Sequence, residues 1–153
     1  MNAAGIFSIE PENLILEITE TSLMNDIHNK IRILERLKSY GIGISIDDFG
    51  TGFSSMEYLK NIPADELKID KSFVINMLDN KMDRHIVQSV IDIARGFDIE
   101  VVAEGIENRE TYDTLKEMGC QFAQGYYISA PLSQANYIDW VRQYSDVCEE
   151  LET

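Results

Sequence analysis

Ile44-Ser-Ile-Asp-Asp-Phe-Gly-Thr-Gly52 runs an alternating strand into two adjacent carboxylates and then into a glycine-rich loop. Successive strand side chains point to opposite faces. Ile42, Ile44 and Ile46 therefore share one face, and Gly43, Ser45 and Asp47 share the other. The apolar face is suited to pack on helices. The other face is small and polar and ends in an acid.

The same acid-tipped pattern recurs along the chain. Candidate strands are Asn13–Thr19, Gly41–Asp47, Glu66–Asp70, Glu100–Glu104 and Gln121–Ile128. Amphipathic stretches separate them. Asp26–Tyr40 carries Ile27, Ile31, Leu34 and Leu37 near helical spacing and stops at Gly41. Met82–Phe97 repeats the pattern, with Gly96 at its end. Arg109–Met118 stops at Gly119, Leu132–Tyr144 follows Pro131, and Ser54–Asn61 reads as a short helix. Glycine after a helix supplies the left-handed cap. Strands alternating with helices predict an α/β fold with a parallel sheet and helices outside it.

The inward positions near the five strand ends are Glu17, Asp47, Lys68, Glu104 and Gln124, flanked by mostly apolar outward neighbours. Buried charge is costly unless paired or bound to metal. Each residue alone could cap a helix or pair at a rim; five together predict a shared mouth at the carboxyl ends of the strands, where (βα) barrels carry their chemistry. Glu17, Asp47, Asp48 and Glu104 are hard oxygen donors with no His or Cys cluster beside them, a set suited to Mg²⁺, Mn²⁺ or Ca²⁺ rather than Zn²⁺. Two such ions, with Asp47 bridging, can clamp the attacking and leaving oxygens of a phosphodiester. Lys68 could orient or deprotonate a water or stabilise phosphoryl charge, and Gln124 could orient that water.

The bulk properties narrow the partners. The 153 residues make one domain with a sizeable core. Twenty-seven acids against thirteen bases give a net charge of −14. Phosphate-coated nucleic acid and anionic membrane are repelled. No apolar run approaches membrane-spanning length and nothing reads as a signal peptide, so the expected location is cytoplasmic. Cys120 and Cys148 match no metal or redox spacing and read as reduced thiols. Asp48-Phe49-Gly50 matches the magnesium-loop tripeptide of protein kinases, but no nucleotide loop accompanies it. His28 and His85 read as solvated, and Ser54 and Ser55 as helix-start residues. Tyr126 and Tyr127 either pack in the barrel or stack on a base. The acidic tail from about residue 146 is expected to fray.

Five motifs carry a resemblance along essentially the whole chain. They are Leu14-Ile-Leu-Glu-Ile-Thr-Glu20, Ile46-Asp-Asp-Phe-Gly-Thr-Gly-Phe-Ser-Ser55, Leu67-Lys-Ile-Asp-Lys-Ser-Phe73, Val101-Val-Ala-Glu-Gly-Ile-Glu107 and Phe122-Ala-Gln-Gly-Tyr126. In order and spacing they resemble an EAL domain. The resemblance implies a TIM-like barrel that hydrolyses cyclic di-GMP to the linear dinucleotide pGpG with Mg²⁺ or Mn²⁺. It implies Glu17, Asp47 and Asp48 as metal ligands and Lys68 as water activator, with Glu104 and Gln124 holding metal-bound or attacking water. It implies supporting roles for Glu20 and Glu107, with Glu20 steadying a loop that includes Phe49, Gly50, Thr51 and Gly52. That loop resembles the family's dimerisation and activation loop, so a homodimer or higher oligomer is expected. Asp70 and Tyr126 are implied as substrate contacts.

The chain also departs from the family pattern. The namesake Glu-Ala-Leu segment is absent, as are the substrate-contacting arginine after it and a metal-binding asparagine. Ala130 stands before Pro131 where a basic residue is common. The expectation is a partial barrel of about five strand–helix units lacking its first third, with weak or lost binding of metal and cyclic di-GMP. Two readings follow: a phosphodiesterase that is inactive or impaired in this form, or a non-catalytic interaction and dimerisation module derived from one.

Overall fold

A computed structural model describes residues 9–24, 26–51 and 59–151. Five strands form one parallel sheet in chain order: β1 (Ile15–Thr19), β2 (Gly43–Phe49), β3 (Glu66–Ile69), β4 (Glu100–Glu104) and β5 (Phe122–Gln124). Helices α1 (Glu20–Met24), α2 (Ile27–Lys38), α3 (Lys71–Asn76), α4 (Lys81–Gly96), α5 (Arg109–Met118) and α6 (Gln134–Leu151) lie between and after them. This is the expected α/β alternation, laid out as part of a barrel. No helix among the described residues is long and apolar enough to cross a membrane.

The alternation seen in the sequence fixes which face is core. Ile44, Ile46, Leu67, Ile69, Val101 and Ala103 are buried on the helix-facing side, against Leu34, Val87, Val90, Ile91 and Ala94. Each fully buried aliphatic side chain of this kind contributes about 1.5–3 kcal/mol. Asp65 joins three elements at the opposite, amino-terminal end of the sheet. Its carboxylate accepts from the Ile44 N–H at 2.8 Å, its carbonyl accepts from the Glu100 N–H at 2.9 Å, and it pairs with Lys38.

Several boundaries differ from the sequence reading. Helices α1 and α3 were not foreseen: five and six residues are too few to show periodicity. Asp70 caps α3 by accepting from the Ser72 N–H at 2.9 Å. Strand β5 stops at Gln124 rather than Ile128, because the N–H groups of Ile128 and Ser129 turn back to the Gly125 carbonyl at 3.0 and 3.1 Å. Gly119 caps α5 at φ 89°, as its position predicts, whereas α4 ends through Asp98 at φ 60° and Gly96 stays helical. Helix α6 runs on to Leu151, past the Tyr144 at which the periodic stretch was expected to end. Most of the Ser54–Asn61 helix, and Gly52 with it, lies outside the described residues.

Candidate active site at the carboxyl ends of the strands

Register places the five inward residues together. Glu17 pairs with Ser45, Thr19 with Asp47, Lys68 with Val102 and Glu104 with Gln124. Lys68 is the centre of the cluster, with only 8% of its side chain exposed. Its Nζ lies 2.7 Å from Glu104, 3.2 Å from Glu17 and 3.5 Å from Asp47. Below it, the buried Ser45 hydroxyl donates to Glu66 at 2.7 Å.

Burial acts to lower the Lys68 pKa and is the largest single influence on it. Hydrogen bonds to Glu104 and Glu17, with the charges of Glu104 and Asp47, together outweigh burial and raise it above the ordinary lysine value. The stabilisation linked to that shift is present below the unfolded lysine value and is lost only as pH rises through the higher folded value. Lys68 is therefore an ammonium at neutral pH. In this arrangement it can orient water or meet phosphoryl charge, and it is not poised to take a proton.

Asp48 reaches the mouth by a route that simple alternation forbids. A regular strand would point it away from Asp47. The β2–β3 register shifts between Ile46 and Phe49, and Asp48 adopts φ 55°. Aspartate tolerates this left-handed region better than most residues. The result is that Asp47, Asp48 and Glu104 each present an oxygen, all within 4.8 Å of one another, and they are the one such acid, His or Cys group among the described residues. Three convergent hard oxygens fit Mg²⁺ or Mn²⁺. Glu17 stands outside this trio, at the Lys68 ion pair.

Burial, the Asp47 charge and then the charge and a hydrogen bond of Asp70 hold the Asp48 carboxyl above the usual carboxylate range. A raised folded pKa means that the associated stability is present below the unfolded value and lost as pH rises through the folded one. Ionised Asp48 thus costs the metal-free chain stability at neutral pH. We expect Asp48→Asn to melt higher than wild type in chelator at neutral pH. The difference should vanish in acid below the ordinary carboxylate range. Thermal melts at the two pH values check this; a lower melting temperature at neutral pH would contradict it.

Around this centre, Glu20 is 1% exposed and accepts from the Gly50 N–H at 2.9 Å, tying α1 to the turn after β2. The Thr51 hydroxyl closes the same turn on the Asp48 carbonyl at 2.8 Å. Phe49, expected in the loop, is the last residue of β2 and is buried in the core. Glu104, Glu107, Gln124 and Tyr126 line an open cleft of about 540 Å³. Lys71 and Ser129 line it too. Sequence reading did not pick these two out, although Lys71 lies inside the Leu67–Phe73 motif. Tyr126 is exposed on the rim, while Tyr127 packs at 5.8 Å from Tyr112.

The EAL domain profile matches residues 3–131. The chain is 43% identical over 131 residues to the bifunctional diguanylate cyclase/cyclic di-GMP phosphodiesterase MucR of Pseudomonas aeruginosa, covering 86% of this chain and 19% of that protein. It superposes on a solved PaMucR phosphodiesterase–c-di-GMP complex with TM-score 0.86 and 41% identity, over 89% of this chain and 55% of that one. A manganese/cy-diGMP complex of Klebsiella pneumoniae BlrP1 aligns with TM-score 0.72 and 30% identity, over 78% of this chain and 30% of that one. The chain thus spans about a fifth of the length of the curated relative.

Proposed function

The chain belongs to the EAL domain family, and from that membership we propose that its mouth is the metal-binding part of a cyclic di-GMP phosphodiesterase centre. The observation that carries the reading is the Asp47, Asp48 and Glu104 trio set against the Lys68 ammonium. Asp47, Asp48 and Glu104 would hold Mg²⁺ or Mn²⁺, with Glu17 at the edge. A bound ion supplies charge that draws an anionic diester into an acidic mouth and favours the hydroxide form of water.

The chain's own residues do the rest. Lys68 would meet the phosphoryl charge as it develops. Gln124, the register partner of Glu104, would orient water. Lys71, Glu107 and Tyr126 line the cleft that would take the nucleotide. In the reaction, water oxygen bonds to phosphorus and one bridging P–O ester bond breaks. The departing oxygen takes up a proton and the linear dinucleotide is left.

Incubation of the chain with cyclic di-GMP and Mn²⁺, followed by chromatography, tests the reading. We expect slow, metal-dependent formation of the linear dinucleotide, slower than from a full-length relative. Asp47→Asn should weaken Mn²⁺ binding most among single ligand changes and abolish the product. No product above a metal-only blank at any chain concentration would overturn the enzyme reading. An equal Mn²⁺ response in wild type and Asp47→Asn would overturn the ligand assignment.

A second reading, as an interaction module, is favoured by the sheet edges. Among the described residues β1 and β5 each pair on one side only. Ile15 and Leu16 on β1 and Phe122 on β5 are exposed. Exposed apolar edges template association. We expect a dimer or higher oligomer by light scattering at micromolar concentration; a monomer that melts sharply would remove the support for this reading.

A further inference from the structure

We infer that Lys68 is the built-in occupant of the cation site, and that it sets the affinity of the mouth for divalent metal by competing for two of its three carboxylates. This rests on the metal-dependent reading above and deepens it.

The geometry shows the overlap directly. Glu104 and Asp47 hold the Lys68 ammonium at 2.7 and 3.5 Å, and the same two side chains supply two of the three convergent oxygens. An ammonium has three donors and no acceptor. Here three carboxylates stand within reach of it, so the lysine is satisfied without any ion. The lysine cannot simply retreat. It is fixed between Leu67 and Ile69, both fully buried, and a buried ammonium without a partner is costly. Glu17 resolves this. It lies 3.2 Å from Lys68 Nζ yet outside the trio, and can keep the ammonium paired when Glu104 and Asp47 turn to an ion.

An arriving divalent ion therefore meets a positive charge a few ångströms away and carboxylates already engaged. Both effects lower its affinity, and both vanish when the lysine charge is removed. The opposite expectation is equally definite. If Lys68 helps to build the site, by holding the carboxylates in place or by bonding to water on the ion, its removal weakens binding.

Mn²⁺ titration by calorimetry, with free Mn²⁺ followed by its electron paramagnetic resonance signal, separates the two. Wild type, Lys68→Met and Lys68→Met/Asp48→Asn are compared, with circular dichroism to follow folding. Methionine keeps the length of the stem and removes the charge. We expect Lys68→Met to bind Mn²⁺ roughly tenfold tighter than wild type, since the repulsion of a nearby charge is lost. The double variant should bind more weakly than Lys68→Met, because the ion is held by all three carboxylates of the trio. Where Lys68→Met unfolds in chelator, the Mn²⁺ concentration that restores the fold reports the same affinity.

Equal or weaker binding by Lys68→Met, while wild type binds, overturns the inference and leaves the metal reading standing. Binding by the double variant as tight as by Lys68→Met also overturns it, since the ion is then bound elsewhere. Absence of Mn²⁺ binding in every variant overturns both.

Discussion

Lys68→Ala is expected to lower metal-dependent hydrolysis of cyclic di-GMP by about 10²–10³-fold, the loss typical when one preorganised electrostatic group is removed from a water-poor site. The ammonium is nearly buried and held by Glu104, Glu17 and Asp47. It is placed before the reaction begins and needs no reorganisation as phosphoryl charge grows. Its raised pKa keeps it charged throughout the neutral range, so the loss should be the same across neutral pH. Rates should be measured at saturating Mn²⁺, where any change in metal affinity no longer matters. Removing the lysine also leaves three carboxylates facing one another, which lowers stability in chelator. Comparing the rate per folded molecule keeps the two effects apart. A variant that melts early but hydrolyses normally once folded would show that Lys68 is structural.

Gly125→Ala is expected to be the most damaging glycine-to-alanine change among the described residues. A Cβ there would lie 2.1 Å from the Ile106 carbonyl oxygen, 2.4 Å from its nitrogen and 2.7 Å from its carbonyl carbon. All three are backbone atoms, and none can step aside by a change of rotamer. Ile106 is also tied on both sides, donating to the Gln124 carbonyl at 3.2 Å and accepting from the Tyr127 N–H at 3.0 Å. To admit the methyl group, the loop after β4 must part from the turn after β5. Ordinary overpacking costs about 1–3 kcal/mol, and a rigid backbone obstacle should reach or exceed the upper end. Glu104, Glu107, Gln124 and Tyr126 lie on the two segments that separate, so the cleft should open as well. Denaturant unfolding measures the loss; a change below about 0.5 kcal/mol would mean that the two segments are already loosely joined.

The sheet was legible because its strands keep a strict two-residue alternation over a buried outer face. Ile44 and Ile46, Leu67 and Ile69, and Val101 and Ala103 mark that face, which put Glu17, Asp47, Lys68, Glu104 and Gln124 on the other. What escaped was whatever depends on local backbone geometry. Helices α1 and α3 are shorter than two turns, so no periodicity announces them. The hydrogen bond by which Asp70 caps α3 at Ser72 could be seen only once α3 was known. Phe49 belongs to the core because the register shift after Ile46 turns it to the isoleucine face, where unbroken alternation would have put it beside Asp47. Glu104 was legible as a hard oxygen donor, but its approach to Asp47 and Asp48 depends on how separate strands come together, which no single strand encodes. Lys71 and Ser129 reach the cleft from segments with no strand pattern of their own.

The left-handed backbone at Asp48 restricts the alphabet of that position more tightly than its chemistry does. Aspartate and glutamate are interchangeable donors to a hard ion, and a longer arm can often be accommodated by a small shift of the metal. At φ 55° they are not interchangeable, because aspartate and asparagine enter this region far more readily than residues with a longer side chain. A bulkier acid would have to straighten the strand, and a straightened strand would aim position 48 at the opposite face. Torsion and ligation are therefore inherited together: substitutions that keep the kink are confined to aspartate, asparagine and glycine, and of these only aspartate keeps the charge.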